Sequence, residues 1–489
     1  MAASIRIIFV VATVVATAIP RTRNYKVMEE GERDISLPFV EVGTDGAAAM
    51  KIKKDIEHMG GWWAHIGNRV YSPIASWANP RYKDDLAFIS TDVSKTQSIE
   101  GYYVAIGGTK KSLPDILAPH RVGGSDPFHI LHMPNITTAQ RAMLMQVHSK
   151  MRGGNRHQFH SLIKLKRGFT PFQPFEASNS YKAPDGVELM QRESAAVESM
   201  TKETFHAYLQ DLVNFKTRAV GADNANEVQN YFVNKFRAMG FRTCKQPVQV
   251  GSTSSNNILA FKASSDPSAK YVVVGAHYDS RPFTGLAPGA EDNGSGSAAL
   301  LTMAEAFANR NLQTRNNVVF VAFTGEEEGL YGSTEFVANF GQWGEACMGQ
   351  TRNPALLEVD ISTLNLEGAI IMDEIGWASD KFDKHTVTLE TRKFSRSVMD
   401  HLASCSKDYN SQGSATGELM IQSSFYPFGS DHMPFLNKGS QAVLTINGDD
   451  EAYPNYHKST DTIENVNDDL SMKIARMNLC ALIRMSEAK

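Results

Sequence analysis

The sequence of 489 residues has little cysteine and little excess charge. Only four cysteines occur, far apart and without a CxxC pair: Cys244, Cys347, Cys405 and Cys480. This spacing excludes a zinc knuckle and a disulfide-dense scaffold, and it leaves open whether one or two disulfides form. The small net charge of −4 argues against a nucleic-acid-binding surface as the main function. The remaining composition, 42% hydrophobic and 21% charged, is that of a globular chain with two or three domains.

The chain also lacks an apolar run that would span a bilayer comfortably. The nearest candidate lies at the N-terminus, where Arg6 precedes the apolar residues 7–15 and the small-residue pattern of residues 16–18. A basic residue, a short apolar stretch and small residues in this order are typical of a secretory signal peptide, although a signal anchor begins in the same way. We therefore predict a signal peptide at 1–18, secretion or delivery to a secretory lumen, and no stable membrane insertion.

Residues 19–196 are predicted to form a separate, strand-rich N-terminal region. Short apolar runs such as 102–106 lie between glycine, proline and asparagine turns, and one helix is predicted over 138–150. Asn135 begins a glycosylation sequence that a secretory route would expose. A pro-domain that is later removed and a permanent accessory domain are both consistent with this pattern.

Histidines are frequent in this region, including two HxxH pairs: His129 with His132, and His157 with His160. No glutamate or cysteine partner accompanies them in a zinc-binding pattern, so we predict packed or solvated histidines. A basic run over 150–167 and two prolines follow, which places a domain boundary between about 168 and 197.

From residue 197 to 489 the pattern alternates between helix and strand. The predicted elements include helices over 203–214, 225–239 and 297–309 and strands over 256–262, 271–274 and 318–323. The last two strands are apolar almost continuously, as buried parallel strands are, and the third helix joins them into a βαβ unit. The sequence therefore predicts an α/β domain with a mostly parallel, doubly wound sheet and helices on both faces.

Polar residues collect at the ends of the predicted strands and in the turn that opens the third helix: His277, Asp292, Glu326, Glu327, Asp373 and His457. Ligands of open α/β sheets bind beyond the carboxyl ends of the strands. Histidine nitrogens mixed with carboxylates suit zinc better than calcium, which takes oxygen ligands. So many acids at one edge would repel one another strongly without a cation.

Two further acids bear on this set. Asp279 lies two residues after His277 and is close enough to hold the second ring nitrogen of that histidine. Asp360 and Glu367 are alternatives to Asp373, which we prefer because it ends an apolar run.

Six segments follow one another along the chain: AHYDS, GAEDNGSGSAALL, AFTGEEEGLYGS, MDEIGW, SDHMPF and YHKSTDTIEN. Together they resemble the successive motifs of the M28 family of zinc aminopeptidases, over roughly residues 197–485. The MDEIGW segment departs from the commoner DMIG form, so the resemblance supports Asp373 less directly than the other residues.

The resemblance implies the zinc-exopeptidase fold and two zinc ions (Zn2+) per chain. It implies five ligands, with Asp292 shared by both ions: His277 and Asp373 at one ion, and Glu327 and His457 at the other. Glu326 would be the general base, and the Asp292–Asn293 peptide bond would be cis. The implied activity is that of a secreted aminopeptidase that releases N-terminal, apolar residues from peptides.

Other functions remain open on the same fold. A carboxypeptidase or dipeptidase shares the metal motifs, because the loops that select the end of the peptide cannot be interpreted from this sequence. A glutaminyl cyclase would hold one zinc ion, and a non-catalytic binding ectodomain would hold none. The sequence does not indicate the oligomeric state or the pairing of the cysteines.

Overall fold

The computed structural model describes most of the chain from residue 161 onward and short segments before it. The described residues are 27–28, 39–41, 50, 52–54, 56, 62–66, 69–72, 102–106, 117–125, 128–133, 161–165 and 169–487, the last without 184–186, 267, 311, 349–365, 412–416 and 428. The predicted signal peptide, the helix over 138–150, the glycosylation sequence at Asn135 and the second HxxH pair lie outside these residues.

The described residues fall into two compact units, the first ending at Pro171 and the second beginning at Phe172. The first unit contains two antiparallel sheets. One has the order β1-β2-β4-β3, with β1 (Val27–Met28), β2 (Phe39–Glu41), β3 (Ala64–Ile66) and β4 (Arg69–Tyr71). The other has the order β6-β7-β5-β8, with β5 (Tyr102–Ile106), β6 (Arg121–Ser125), β7 (Phe128–His132) and β8 (Ser161–Lys164). The prediction of a strand-rich region is confirmed, but the predicted domain limits at 196/197 stay a prediction.

The described HxxH pair lies on β7 and packs inside the first unit. His129 is fully buried, and Arg121 Nε donates a hydrogen bond to its Nδ1 atom at 3.3 Å. The ring of His132 lies 4.5 Å from that of Tyr102. These contacts fit the prediction of packed histidines.

The second unit is built on a nine-stranded sheet with the order β10-β11-β13-β12-β14-β17-β15-β16-β9. Its strands are β9 (Gln173–Pro174), β10 (Arg242–Val250), β11 (Thr253–Lys262), β12 (Tyr271–His277), β13 (Asn317–Phe323), β14 (Leu366–Met372), β15 (Thr386–Glu390), β16 (Met420–Ser424) and β17 (Ala442–Asn447). Neighbouring strands in the centre, from β13 through β12 and β14 to β17, are parallel. Antiparallel strands flank this centre on both sides.

Helices cover both faces of this sheet. They are α1 (Val187–Glu198), α2 (Lys202–Asn214), α3 (Ala225–Ala238), α4 (Gly296–Asn309), α5 (Tyr331–Met348), α6 (Arg396–Tyr409), α7 (His432–Asn437) and α8 (Asp468–Met485). Side chains of the central strands alternate between two cores: Phe320 packs with residues of α2, α4 and α8, whereas Phe323 packs with residues of α5 and α7. Because both faces are covered, all seven residues of β13 are buried. The predicted fold class is confirmed.

The parallel centre brings several strand ends to one edge of the sheet. His277 at the end of β12 pairs with Phe323 at the end of β13, and Met372 at the end of β14 pairs with Thr445 near the end of β17. Residues that directly follow these strands therefore emerge close together.

Three cysteines of the second unit are disulfide-bonded. Cys405 of α6 and Cys480 of α8 form a disulfide, and Cys244 of β10 is disulfide-bonded as well. Within the described part of the chain, no helix is both long and apolar enough to cross a membrane.

Candidate metal centre

The first group of candidate ligands forms where β12 and β14 end. His277 is the last residue of β12, and Asp373 directly follows β14. The Nε2 atom of His277 lies 3.2 Å from Asp373 Oδ1. Glu326, three residues after β13, joins them, and the candidate ligand atoms of the three residues all lie within 4.8 Å of one another. All three side chains are buried.

The second group lies beside the first. His457 Nε2 is 2.9 Å from Glu327 Oε2 and 3.2 Å from Asp292 Oδ2. The other carboxylate oxygen of Asp292, Oδ1, is 3.4 Å from His277 Nε2. The carboxylate of Asp292 therefore faces both groups, one oxygen toward each histidine.

All six residues that the sequence singled out are thus brought together. Asp292 lies between a pair formed by His277 and Asp373 and a pair formed by Glu327 and His457, in the arrangement that the resemblance implies. Among the alternatives, Glu367 forms an ion pair with Lys270 at 2.8 Å, and Asp360 lies outside the described residues. The roles of the six residues as ligands and base stay a prediction.

Asp279 forms hydrogen bonds with three of the site residues, His277, Glu326 and Glu327. The Nδ1 atom of His277 lies 3.2 Å from the backbone oxygen of Asp279, whose carbonyl accepts a hydrogen bond when Nδ1 carries the proton. The Asp279 carboxylate accepts the backbone N–H groups of Glu326 and Glu327. One residue therefore orients the imidazole through its backbone and the Glu326–Glu327 turn through its side chain.

The turn that carries Asp292 is held by partners far away in sequence. Asp461 accepts the N–H groups of Glu291 at 3.0 Å and Asp292 at 3.1 Å, and it receives a hydrogen bond from the hydroxyl of Tyr453. Asn293 donates to the Met372 oxygen at the end of β14. The peptide bond between Asp292 and Asn293 is cis, as the resemblance implies.

Sequence reasoning missed several of these supporting groups. Asp461 belongs to a quoted motif, but nothing in its spacing predicts a bond to the Asp292 turn. Ser430 donates to Asp373 Oδ2 at 2.7 Å, and Arg281 Nε lies 3.2 Å from Glu327 Oε2. Tyr453 is buried, and its hydroxyl donates to Asp461.

The two histidines are electrostatically coupled to the acids. Burial acts to lower the pKa of His277, but the carboxylates of Asp373 and Glu326 raise it well above its usual value. Burial opposes protonation of His457 in the same way, yet Glu327 and Asp292 raise its pKa to about 9. Both imidazoles therefore compensate negative charge within the two groups.

The acids respond in two ways. Burial raises the pKa of Glu326 well above its usual value, with Asp373 adding to the effect and His277 opposing it. Burial and Asp292 likewise raise the pKa of Glu327. Burial would also raise the pKa of Asp292, but hydrogen bonds with the two histidines hold it well below its usual range. The crowded negative charge is what a divalent cation would relieve.

The donor set fits zinc. Each group combines one imidazole nitrogen with carboxylate oxygens from two acids, and zinc accepts both kinds of ligand. Glu327 Oε1 is buried and receives no hydrogen bond from the residues that the structure describes, so it is available to a metal ion.

Comparison with known proteins supports this interpretation of the site. Residues 256–482 match the sequence profile of Peptidase family M28. The chain is 28% identical over 273 residues to a "Probable zinc metalloprotease" of Pyricularia oryzae, covering 48% of this chain and 50% of that protein. It is 29% identical to aminopeptidase YwaD of Bacillus subtilis, covering 46% of this chain and 43% of that protein. It therefore spans about half the length of these curated relatives.

Solved structures share the fold. The LapA aminopeptidase of Legionella pneumophila has a TM-score of 0.52 at 18% identity, covering 79% of this chain and 98% of that one. LapB of the same organism has a TM-score of 0.52 at 17% identity, covering 79% and 99%. At these identities the likeness shows the fold alone. Residues 256–482 of this chain are therefore similar to Peptidase family M28, in agreement with the order of the motifs.

Proposed function

We propose that the chain is a secreted zinc aminopeptidase that holds two zinc ions and releases N-terminal, apolar residues from peptides. The observation that carries the proposal is the position of Asp292, whose two carboxylate oxygens face His277 and His457. A shared carboxylate between two ligand groups is the arrangement that two-metal hydrolysis requires. Similarity to YwaD and to the leucine aminopeptidase 1 of Arthroderma otae, 29% identical over 40% of this chain, supports cleavage at the amino end.

The five ligands would bind two zinc ions. His277 and Asp373 would hold one ion, Glu327 and His457 the other, and Asp292 both. Bound zinc would supply Lewis acidity for the scissile carbonyl and lower the pKa of an attacking water.

Glu326 would accept the proton of that water and deliver it to the leaving amine. Burial raises the pKa of Glu326, which makes its carboxylate a stronger base than an exposed glutamate. Its carboxylate reaches the first group, so a ligand role is the alternative that experiment has to exclude.

The end of the peptide that is cleaved is tested by comparing substrates with blocked termini. We expect hydrolysis of leucyl p-nitroanilide and of a carboxyl-amidated peptide, and none of the same peptide after N-acetylation. Dialysis against a chelator should abolish this activity, and added zinc should restore it, with two ions per chain in the active form. Cleavage that requires a free carboxyl end would instead indicate a carboxypeptidase or dipeptidase. Cyclisation of N-terminal glutamine with one zinc would indicate a glutaminyl cyclase.

A loop beside the site supports the apolar preference. It leaves β12 and contains Phe283 and Leu286, which are 50% and 59% exposed. Arg281 of the same loop contacts Glu327 and stacks on the Phe283 ring at 4.0 Å. Phe283 is thus linked through Arg281 to a candidate ligand, and an apolar side chain of the substrate would cover its exposed ring.

Replacing Phe283 with serine is therefore expected to weaken the recognition of apolar substrates. We expect kcat/KM for leucyl p-nitroanilide to fall about fivefold, because a half-exposed aromatic ring contributes on the order of 1 kcal/mol when a ligand covers it. The zinc content should not change. The matched control is Phe394→Ser: this ring is 46% exposed, and it follows β15, which runs antiparallel to β17 and so ends at the opposite edge. Equal losses in the two variants would contradict the proposal.

Secretion is supported by the disulfide between Cys405 and Cys480, since such bonds persist mainly in oxidising compartments. We propose that residues 1–18 are removed as a signal peptide and that 19–196 form a pro-domain or accessory domain. The N-terminal sequence of the mature protein distinguishes the two, because a pro-domain predicts a start near 168–197 and an accessory domain a start near 19.

A further inference from the structure

Arg218 is a buried arginine outside the stretch that matches the family profile. It lies in the connection between α2 and α3 and is only 2% exposed. A buried guanidinium is unfavourable unless its donors are satisfied, and an apolar side chain of similar size would fill the same space at lower cost. Its presence therefore calls for an explanation beyond packing.

The guanidinium donates to backbone oxygens at both ends of the connection between β12 and α4. Nε donates to the Tyr278 oxygen at 2.8 Å. Nη1 donates to the Pro288 oxygen at 2.6 Å, and Nη2 to the Gly289 oxygen at 2.8 Å. A further donation reaches Leu212 at 3.3 Å. Carbonyl oxygens, rather than a carboxylate, are thus its direct partners among these contacts.

Each end of this connection lies beside a candidate zinc ligand. Tyr278 directly follows His277, and Gly289 lies three residues before Asp292. Ser280 adds a second link. Its hydroxyl accepts a hydrogen bond from the backbone N–H of Arg218 at 3.1 Å and donates one to the Ala287 oxygen at 2.8 Å. Arg218 therefore sets the spacing between the two ends of this connection, one beside His277 and the other beside Asp292.

The loops are packed closely at this point. Gly289 has a φ of 52°, and a Cβ atom there would lie 2.5 Å from Ser280 Cβ and 2.7 Å from the Asp292 oxygen. A larger residue would push the Asp292 turn away from the His277 loop.

The charge of Arg218 is also suited to the site. Burial lowers the pKa of Arg218 to about 10, and Asp461, Asp279 and Asp292 act to raise it. The side chain therefore remains charged at neutral pH, as a fixed positive group behind the acids.

We propose that Arg218 is a positioning residue that holds the two ends of the β12–α4 connection, and with them His277 and Asp292, at the separation required for zinc binding. This inference rests on the proposed function. Arg218 lies outside the two metal groups and controls the zinc affinity through directed hydrogen bonds to backbone oxygens.

The test measures zinc affinity in the metal-free protein by competition with a chromogenic chelator. We expect Arg218→Lys to lower zinc affinity about 10- to 100-fold, as loss of a supporting hydrogen-bond network does, although the charge is kept. The kcat at saturating zinc should also fall, with a smaller change in KM.

The control is Arg484→Lys. Arg484 is another buried arginine of the second unit and lies near the end of α8. It forms ion pairs with Glu193 and Asp408, each at 2.8 Å. Its replacement should lower thermal stability and leave zinc affinity within about twofold of the unmodified protein. A purely structural role for Arg218 would give the same pattern for Arg218→Lys, and that result would overturn the inference.

Ser280→Ala covers the case in which Arg218→Lys fails to fold. It removes the hydroxyl that links the backbone N–H of Arg218 to the Ala287 oxygen, and it is expected to weaken zinc binding several-fold. Normal zinc affinity in this variant would overturn the inference. If the unmodified protein bound no zinc, the proposed function would fail; if it bound zinc and these variants matched it, the role of Arg218 alone would fail.

Discussion

Replacing Glu326 with glutamine is expected to lower kcat about a thousandfold while the protein keeps its zinc. Glutamine preserves the shape of the side chain but cannot accept the proton of the attacking water, and general-base catalysis contributes about 10²- to 10⁴-fold. The measurement combines kcat for leucyl p-nitroanilide with the zinc content of the same sample. Full activity would show that another group is the base. Loss of zinc together with activity would show that Glu326 is a ligand of the first group.

Glu328→Gln is the matched control for this experiment. Glu328 lies two residues away and is also an acid, but it belongs to neither candidate metal group. Burial and the nearby Asp279 raise the pKa of Glu328 to about 8, so the side chain is mostly uncharged at pH 7 and glutamine resembles it closely. We expect kcat within about threefold of the unmodified enzyme, as for most substitutions outside the reacting groups.

Single substitutions of the candidate ligands should remove one zinc ion or weaken the binding of both, depending on the residue. His457→Gln is expected to leave one zinc ion per chain, because His277 and Asp373 can still hold the first ion together with the shared Asp292. His277→Gln should leave the ion of the second group. Asp292→Asn should weaken both, since its two oxygens face the two histidines. In all three variants kcat should fall by several orders of magnitude, because two-metal hydrolysis needs both ions.

Zinc analysis by mass spectrometry after removal of loosely bound metal separates these outcomes. A correctly folded His457→Gln protein with two ions would contradict the assignment of this histidine. Equal loss of one ion from all three variants would contradict the shared role of Asp292. Circular dichroism and thermal unfolding provide the control for folding, and they matter most for Asp292, whose turn is held by Asp461.

The elements of the second unit could be predicted where the pattern is local. The helices expected over 203–214 and 225–239 occur as Lys202–Asn214 and Ala225–Ala238. The strand expected over 271–274 continues to His277, because two small residues and a histidine extend the parallel pairing with β13. Alternating hydrophobicity marks faces and not partners, so it did not predict the antiparallel strands that flank the parallel centre.

The sequence by itself determined the order of motifs, the α/β class and the six polar residues that follow strands or open the helix after β12. It could do so because parallel strands all present their carboxyl ends at one edge, so residues that follow them converge whatever the connecting chain does. Only the tertiary structure decided which groups hold that edge in place. Asp461 reaches Asp292 across 169 residues, and Arg218 reaches Gly289 across 71. Such contacts leave no periodicity or spacing in the sequence, because they depend on how distant loops pack once the sheet has formed.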